Sequence, residues 1–196
     1  MRVAIKMPRG ALIVGHSKQN DVRYVGSAML NRLPYKSVTS PIGRLKLVAS
    51  DQGLVAILWE HDSPRRVRLA ELVERVEHPV LVRTENELNE YFAGKRSAFT
   101  VPLDMRGTYF QKQVWEALLG IPYGETRTYG QLANQLGNPK ATRAVGAANG
   151  RNPIAILVPC HRVIGYSGKL TGFAGGLDAK AYLLRLEGRN EPSSRN

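Results

Sequence analysis

A chain of 196 residues is long enough for one or two domains, and a hydrophobic content of 43% is enough to fill their cores. Lys and Arg number 28 against 16 Asp and Glu, a net charge of +12 that points to a polyanionic partner such as nucleic acid, solubility alone being the other use of such charge. The single cysteine excludes an internal disulfide and the common structural zinc sites, and no apolar run is long enough to span a membrane.

Residues 1–34 are poorly patterned and rich in Lys, Arg, Gly and Ser. They read as a basic arm, partly disordered or an extension from an upstream start, and Ala11–Gly15 is too short an apolar core for a signal peptide. Order is expected from Tyr35. Ser40-Pro41-Ile42-Gly43 is a turn, Arg44–Ser50 a strand with Leu45, Leu47 and Ala49 on one face, Asp51-Gln52-Gly53 a second turn and Leu54–Glu60 a further strand. Ser63-Pro64 is read as opening a helix with Val67, Leu69 or Ala70, and Leu72 or Val73 on its face. Thr84-Glu85-Asn86-Glu87 is read as a capping box ahead of Leu88, Tyr91 and Phe92, with Gly94 ending the helix.

The second half is expected to be mostly helical. Thr108–Gln111 and Thr128–Gln131 are capping boxes; Val114, Ala117 and Leu118 follow the first at helical spacing, Leu132 and Leu136 the second. Gly137 and Asn138-Pro139 make a turn into a third helix, Lys140–Asn149. Two short helices joined by a tight turn form a helix-turn-helix or a plain helical hairpin, and the charge of the chain favours the DNA-binding form. The third helix carries small residues, Ala141, Ala144, Gly146, Ala147 and Ala148, which allow close backbone approach and suit a narrow groove. Ile154–Val158 is a β-branched apolar run read as a buried extended segment that carries Cys160 to the edge of a cleft. His161 and Arg162 follow at once, and cations beside a thiol favour the nucleophilic thiolate. A lone cysteine is also commonly a small buried hydrophobe. Gly165–Gly176 is an irregular glycine-rich loop. The last helix presents Ala179, Leu183 and Leu186, and Glu187 in its final turn is disfavoured by the helix dipole unless a partner such as His161 holds it.

Pro159-Cys160-His161-Arg162-Val163 resembles the active-site motif of the O6-alkylguanine-DNA alkyltransferases, also called methylated-DNA–protein-cysteine methyltransferases, and the resemblance runs from about Tyr35 to about Gly188. It implies an α+β protein of two domains: a small N-terminal α/β domain, ribonuclease H-like, over 35–101, and a mostly helical C-terminal domain over 102–190 with a winged-helix-like helix-turn-helix, followed by a tail at 191–196. It implies repair of double-stranded DNA carrying O6-alkylguanine, and O4-alkylthymine, by single-turnover transfer of the alkyl group to Cys160 after the base has flipped out. In that scheme His161 and Glu187 activate the thiol, Tyr129 protonates the departing purine and Asn152 hinges the helix-turn-helix to the cysteine segment. Arg143 fills the gap left by the base, with Gly130, Asn138, Lys140, Thr142, Ala144 and Tyr166 against DNA. Val163, Phe173, Ala174 and Gly175 wall the base pocket. Phe173 stands where relatives often carry Tyr and Ala174 where many carry a hydroxyl or Gly, which leaves tolerance for bulkier alkyl groups open. No cofactor, metal, membrane or obligate protein partner is implied, and the expected placement is cytoplasmic, on DNA. A lesion binder of the same fold without chemistry is disfavoured by Cys160. A basic regulator with a sensing cysteine is disfavoured by Asn152 and the pocket loop.

Overall fold

The computed structural model describes residues 32–63 and 65–188. Most of the expected basic arm and the whole of the tail fall outside these residues.

Three strands form a meander: β1 (Leu33–Ser40), β2 (Gly43–Ser50) and β3 (Gly53–Trp59), paired antiparallel in sequence order. The first strand starts at Leu33, two residues before Tyr35, because Leu33 and Pro34 pair with a fourth strand, β4 (Leu72–Glu74), which runs parallel to β1. The sheet order is β3-β2-β1-β4. Alternation sorts Leu45, Leu47 and Ala49 onto one face, where all are buried against α1 (Pro79–Phe92) through Leu81, Leu88 and Tyr91. Val48 points to the other face and clusters with Leu33, Val55 and Ala56. Val55 joins Ala56 there because the β2–β3 register shifts beside Val48 and Ala49, a bulge that adds one residue to β3.

Two helix expectations fail in this half. Residues 65–71 are turns and irregular chain, and Leu72–Glu74 is a strand. Val67, Leu69 and Leu72 lie over the second face of the sheet, and the backbone closes onto β1 through Leu33 N to Glu71 O and Arg75 N to Tyr35 O. An unpaired sheet edge thus captured a segment whose apolar spacing suits either structure. The expected capping box at Thr84 is mid-helix: α1 starts at Pro79, and Thr84 Oγ1 donates to Val80 O at 2.7 Å. Glu87 instead receives Thr100 N at 2.7 Å and Thr100 Oγ1 at 2.6 Å. Gly94 does follow the helix end, at φ +69°.

The C-terminal half is built on α2 (Tyr109–Leu119), β5 (Arg127–Thr128), α3 (Tyr129–Gln135), α4 (Thr142–Gly150), β6 (Val163–Ile164) and α5 (Gly176–Leu186). Thr108 and Thr128 form complete capping boxes with Gln111 and Gln131. The third helix of the sequence reading divides into a 3₁₀ turn, Pro139–Ala141, and α4. Trp115 of α2 donates Nε1 to Ala148 O of α4 at 3.0 Å, so the first helix of this half braces the helix-turn-helix from behind. The short strands β5 and β6 pair in parallel beside it. No helix among the described residues is long and apolar enough to cross a membrane.

The two halves share a core and a sealed edge. β3 is an edge strand, and its free groups are taken by C-terminal backbone: Leu54 N donates to Pro102 O, Asp104 N to Leu54 O, and Ile57 N to Pro153 O, each at 2.8 Å. Arg66 adds a clamp, donating to Ile57 O at 3.0 Å, to the Asp62 carboxylate and to Asn152 O. The closest approach is at Gly53, where an added Cβ would lie 2.4 Å from Pro102 O. Gly53→Ala should therefore lower stability to urea by about 1–3 kcal/mol, the usual cost of overpacking.

Candidate active site

Asn152 shapes the segment that carries the cysteine. Asn152 Nδ2 donates to Val158 O at 2.8 Å, and its Oδ1 accepts from Ile154 N at 3.0 Å. Val158 N returns to Ile154 O at 2.9 Å. The apolar run is thus buried as expected, but as a closed turn rather than an extended segment. Ile156 sits at φ +79°, the one non-glycine positive φ among the described residues. A β-branched residue there costs on the order of 1–3 kcal/mol and persists only because its surroundings over-determine it.

Cys160 opens a 3₁₀ turn, Cys160–Arg162. Three residues complete such a turn, so the three side chains leave it in different directions. Cys160, 4% exposed, reaches the pocket, whereas His161 and Arg162 both turn to Glu187 at the end of α5.

Glu187 collects more partners than its position in the sequence suggests. His161 Nε2 lies 2.9 Å from Oε1, and Arg162 binds both oxygens, Nη2 to Oε1 at 3.0 Å and Nε to Oε2 at 2.8 Å. Tyr91 of α1 donates Oη to Oε1 at 2.6 Å, and Gly124 N donates to Oε2 at 3.2 Å. Burial alone would raise this carboxyl. The hydrogen bonds from His161, Arg162 and Tyr91 overcome it and hold the group at about 2. His161 is pushed below its ordinary value by burial, against the pull of Glu187, and Arg162 adds to the depression. A neutral His161 donating Nε2–H to Glu187 has Nδ1 as a free acceptor, and that buried atom has no partner among the described residues.

The thiol does not gain from its sequence neighbours as expected. Burial pushes Cys160 above its ordinary value. The opposing influences are a hydrogen bond from Asn152 and the charges of Lys180 and Arg66, because His161 and Arg162 are committed to Glu187. Lys180 was not anticipated. It is fully buried, donates Nζ to Val163 O at 2.6 Å and to Thr171 O at 2.8 Å, and is lowered to about 8 by burial, with Cys160 resisting the shift. Its helical phase offered a signal, since 180 and 184 lie at i and i+4 on α5, 187 at i+7 caps its end, and all are buried. Arg162 and Tyr91 as partners of Glu187 carried no local signal.

The cysteine opens into a pocket of about 330 Å³. Asn152 and Tyr129 line it beside Cys160; Gly146, Asn149 and Gly150 of α4 form one flank, and Gly172, Phe173 and Ala174 of the glycine-rich loop the other. Tyr129 Oη and Thr171 Oγ1 are 2.8 Å apart. Val163 and Gly175 are not in the lining: Val163 is fully buried in the core, and Gly175 packs against Trp59. Thr142, Arg143 and Ala144 are on the exposed side of α4, Asn138 and Lys140 are exposed before it, and Gly130 is half-buried. Arg143 makes no hydrogen bond or ion pair with other described residues. Tyr166 stands 98% exposed on the loop after β6.

Residues 33–105 match the family model for the ribonuclease-like domain of 6-O-methylguanine DNA methyltransferase, and residues 109–189 that for its DNA-binding domain. The chain is 50% identical over 163 residues to the methylated-DNA–protein-cysteine methyltransferase of Mycolicibacterium paratuberculosis, covering 83% of this chain and 96% of that protein. It is 51% identical over 154 residues to the enzyme of the same name from Methanosarcina acetivorans, covering 79% and 97%. A crystal structure of Mycobacterium tuberculosis OGT in complex with DNA superposes with a TM-score of 0.71 at 49% identity, covering 79% of this chain and 92% of that one.

Glu187→Gln would leave Arg162 buried opposite a neutral amide. Urea unfolding should show a loss of about 3–5 kcal/mol, the cost of breaking a buried pair by removing one partner. The carboxyl is depressed from 4.5 to about 2 on folding, so its contribution is complete above 4.5 and is lost as pH falls toward 2. Stability of the native protein measured across that window should fall by a component that the Gln variant lacks.

Proposed function

Since the chain belongs to the methylated-DNA–protein-cysteine methyltransferase family, which repairs DNA by moving a methyl group onto a protein cysteine, we propose that Cys160 is the acceptor and O6-alkylguanine in duplex DNA the donor. The observation that carries this reading is that the only cysteine of the chain opens into a pocket flanked by the same helix, α4, that presents Arg143 and a small-residue surface outward. O4-alkylthymine, with an alkyl group on a comparable exocyclic oxygen, is the second substrate of the proposal.

The chemistry follows from the charges. At rest the thiol is protonated and His161 is neutral with Nδ1 free. His161 takes the thiol proton, directly or through a water, and Glu187 stabilises the imidazolium that results. The positive charge of buried Lys180 favours the thiolate. The sulfur attacks the alkyl carbon; the S–C bond forms as the C–O6 bond breaks, and the electron pair passes to the purine. Tyr129, its hydroxyl paired with Thr171, supplies a proton to a ring nitrogen. The product is a thioether, which water does not cleave, and the chain has no second cysteine to take the group on, so each molecule acts once. Reaching the thiol requires the base to leave the stack, and Arg143 takes its place.

Intact-mass measurement after incubation with DNA containing O6-methylguanine should show a gain of one methylene per molecule and no more. Cys160→Ser should abolish it, and turnover of excess substrate would refute the single-use mechanism. Binding to duplex DNA should weaken steeply with salt, log K falling by roughly 0.9 per phosphate neutralised. Arg143→Ala should reduce the fluorescence change of a base analogue at the flipped position more than it reduces overall affinity. Equal losses in both would make Arg143 an ordinary phosphate contact.

A further inference from the structure

The loop flank of the pocket is braced from the other half of the molecule. Trp59 ends β3 of the N-terminal sheet, opposite Leu45 of β2, and its Nε1 donates to Ile42 O in the β1–β2 turn at 3.3 Å. Its indole meets the Phe173 ring edge-on, with centroids 5.3 Å apart and an interplanar angle of 74°. It also lies so close to the loop backbone that a Cβ at Gly175 would sit 2.5 Å from indole Cε2 and Nε1. Phe173 in turn lines the pocket and stands 6.3 Å from the His161 ring. The wall is therefore held between the active-site histidine on one side and a tryptophan anchored to the sheet on the other. Neither Phe173 nor Gly175 is in a helix or strand, so nothing in the loop's own secondary structure fixes how far the phenyl ring projects into the pocket.

We propose that Trp59 is a positioning residue that sets how far the Phe173 wall can retreat, and thereby the size of alkyl group the pocket accepts; this rests on the alkyltransferase reading above. Trp59 does not line the pocket and touches no reacting group. Its effect is on the discrimination between small and bulky groups. A methyl group needs no movement of the wall, whereas a benzyl group needs the ring of Phe173 to withdraw into space the indole fills.

The test compares single-turnover transfer from duplex DNA containing O6-methylguanine or O6-benzylguanine, read by intact mass, for the full chain and its variants. In Trp59→Ala the methyl rate should stay within about threefold of native while the benzyl-to-methyl ratio rises about tenfold, a size that fit to an apolar wall commonly contributes to discrimination. Gly175→Ala should slow benzyl transfer more than methyl, because its Cβ presses the loop off the indole and into the pocket, and Trp59→Ala should relieve that loss in the double variant. If Trp59→Ala does not fold, Trp59→Phe, which keeps a ring but drops the bond to Ile42, should shift the ratio in the same direction by less. An unchanged ratio in a variant that still transfers methyl would overturn the inference, as would strictly additive Gly175 and Trp59 effects. A native protein that transfers neither group would refute the alkyltransferase reading itself, and this inference with it.

Discussion

One buried carboxylate holds the reactive end of the molecule together. The side chain of Glu187 is completely shielded from solvent, and its two oxygens accept five hydrogen bonds from four residues. These residues come from α1, the chain after α2 and the turn that begins at Cys160. Removing a charged group from water costs several kcal/mol, and only complete hydrogen bonding and a well-matched cation repay that. Arg162 supplies the match in bidentate form and spends its remaining reach on Ile121 O at 2.6 Å. The same contacts pull His161 and Arg162 inward, which leaves Cys160 as the member of its turn that faces the pocket. Orientation of the thiol is thus a consequence of where its neighbours are anchored.

That arrangement also governs when the thiol ionises. Burial outweighs the pull of Glu187 and holds the imidazole below its ordinary value, and the charge of Arg162 adds to the depression. A buried thiol pushed above its ordinary value is unreactive toward stray electrophiles. The proton transfer we propose would create an imidazolium near Glu187 and a thiolate in the field of Lys180. Both charges then have an opposite charge to face, whereas in the resting state Lys180 has only the carbonyls of Val163 and Thr171. Burial thereby disfavours the thiolate at rest, and the proposed proton transfer would make it accessible.

The sequence exposed those parts of this structure that obey local rules. The capping boxes at Thr108 and Thr128 and the helix-ending glycine at 94 form within a few residues, so spacing was sufficient to read them. The same rule misled at Thr84, because a Thr-x-x-Glu string also fits mid-helix when Pro79 starts the helix earlier. Residues 65–74 depend on an open sheet edge that no local pattern reveals. The run Ile154–Val158 is buried throughout, so it has no polar face to betray its geometry, and the turn is imposed by the Asn152 amide. At the site, Glu187 was legible as a carboxylate misplaced at a helix C-terminus that needed a partner, and His161 is that partner. Tyr91, Arg162 and the bracing Trp59 were not, since their contacts join segments 25 to more than 90 residues apart.

Asn152 explains why docking and chemistry can be coupled over a short distance. Only Arg151 separates it from the end of α4, and its amide fixes both ends of the turn that leads to Cys160. Its own carbonyl is held by Arg66, and the neighbouring Pro153 O by Ile57 N of β3. The exposed face of α4 and the thiol are therefore two ends of one rigid piece, tied to the sheet at its middle. The positive φ of Ile156 fits this view, because strain of that kind survives only where the surroundings allow no relaxation. A thiol set in such a piece cannot move out to a target. In the proposed mechanism the target comes to it, and the small residues along α4 together with the pocket of about 330 Å³ beside Cys160 are what a base approaching across that helix would require.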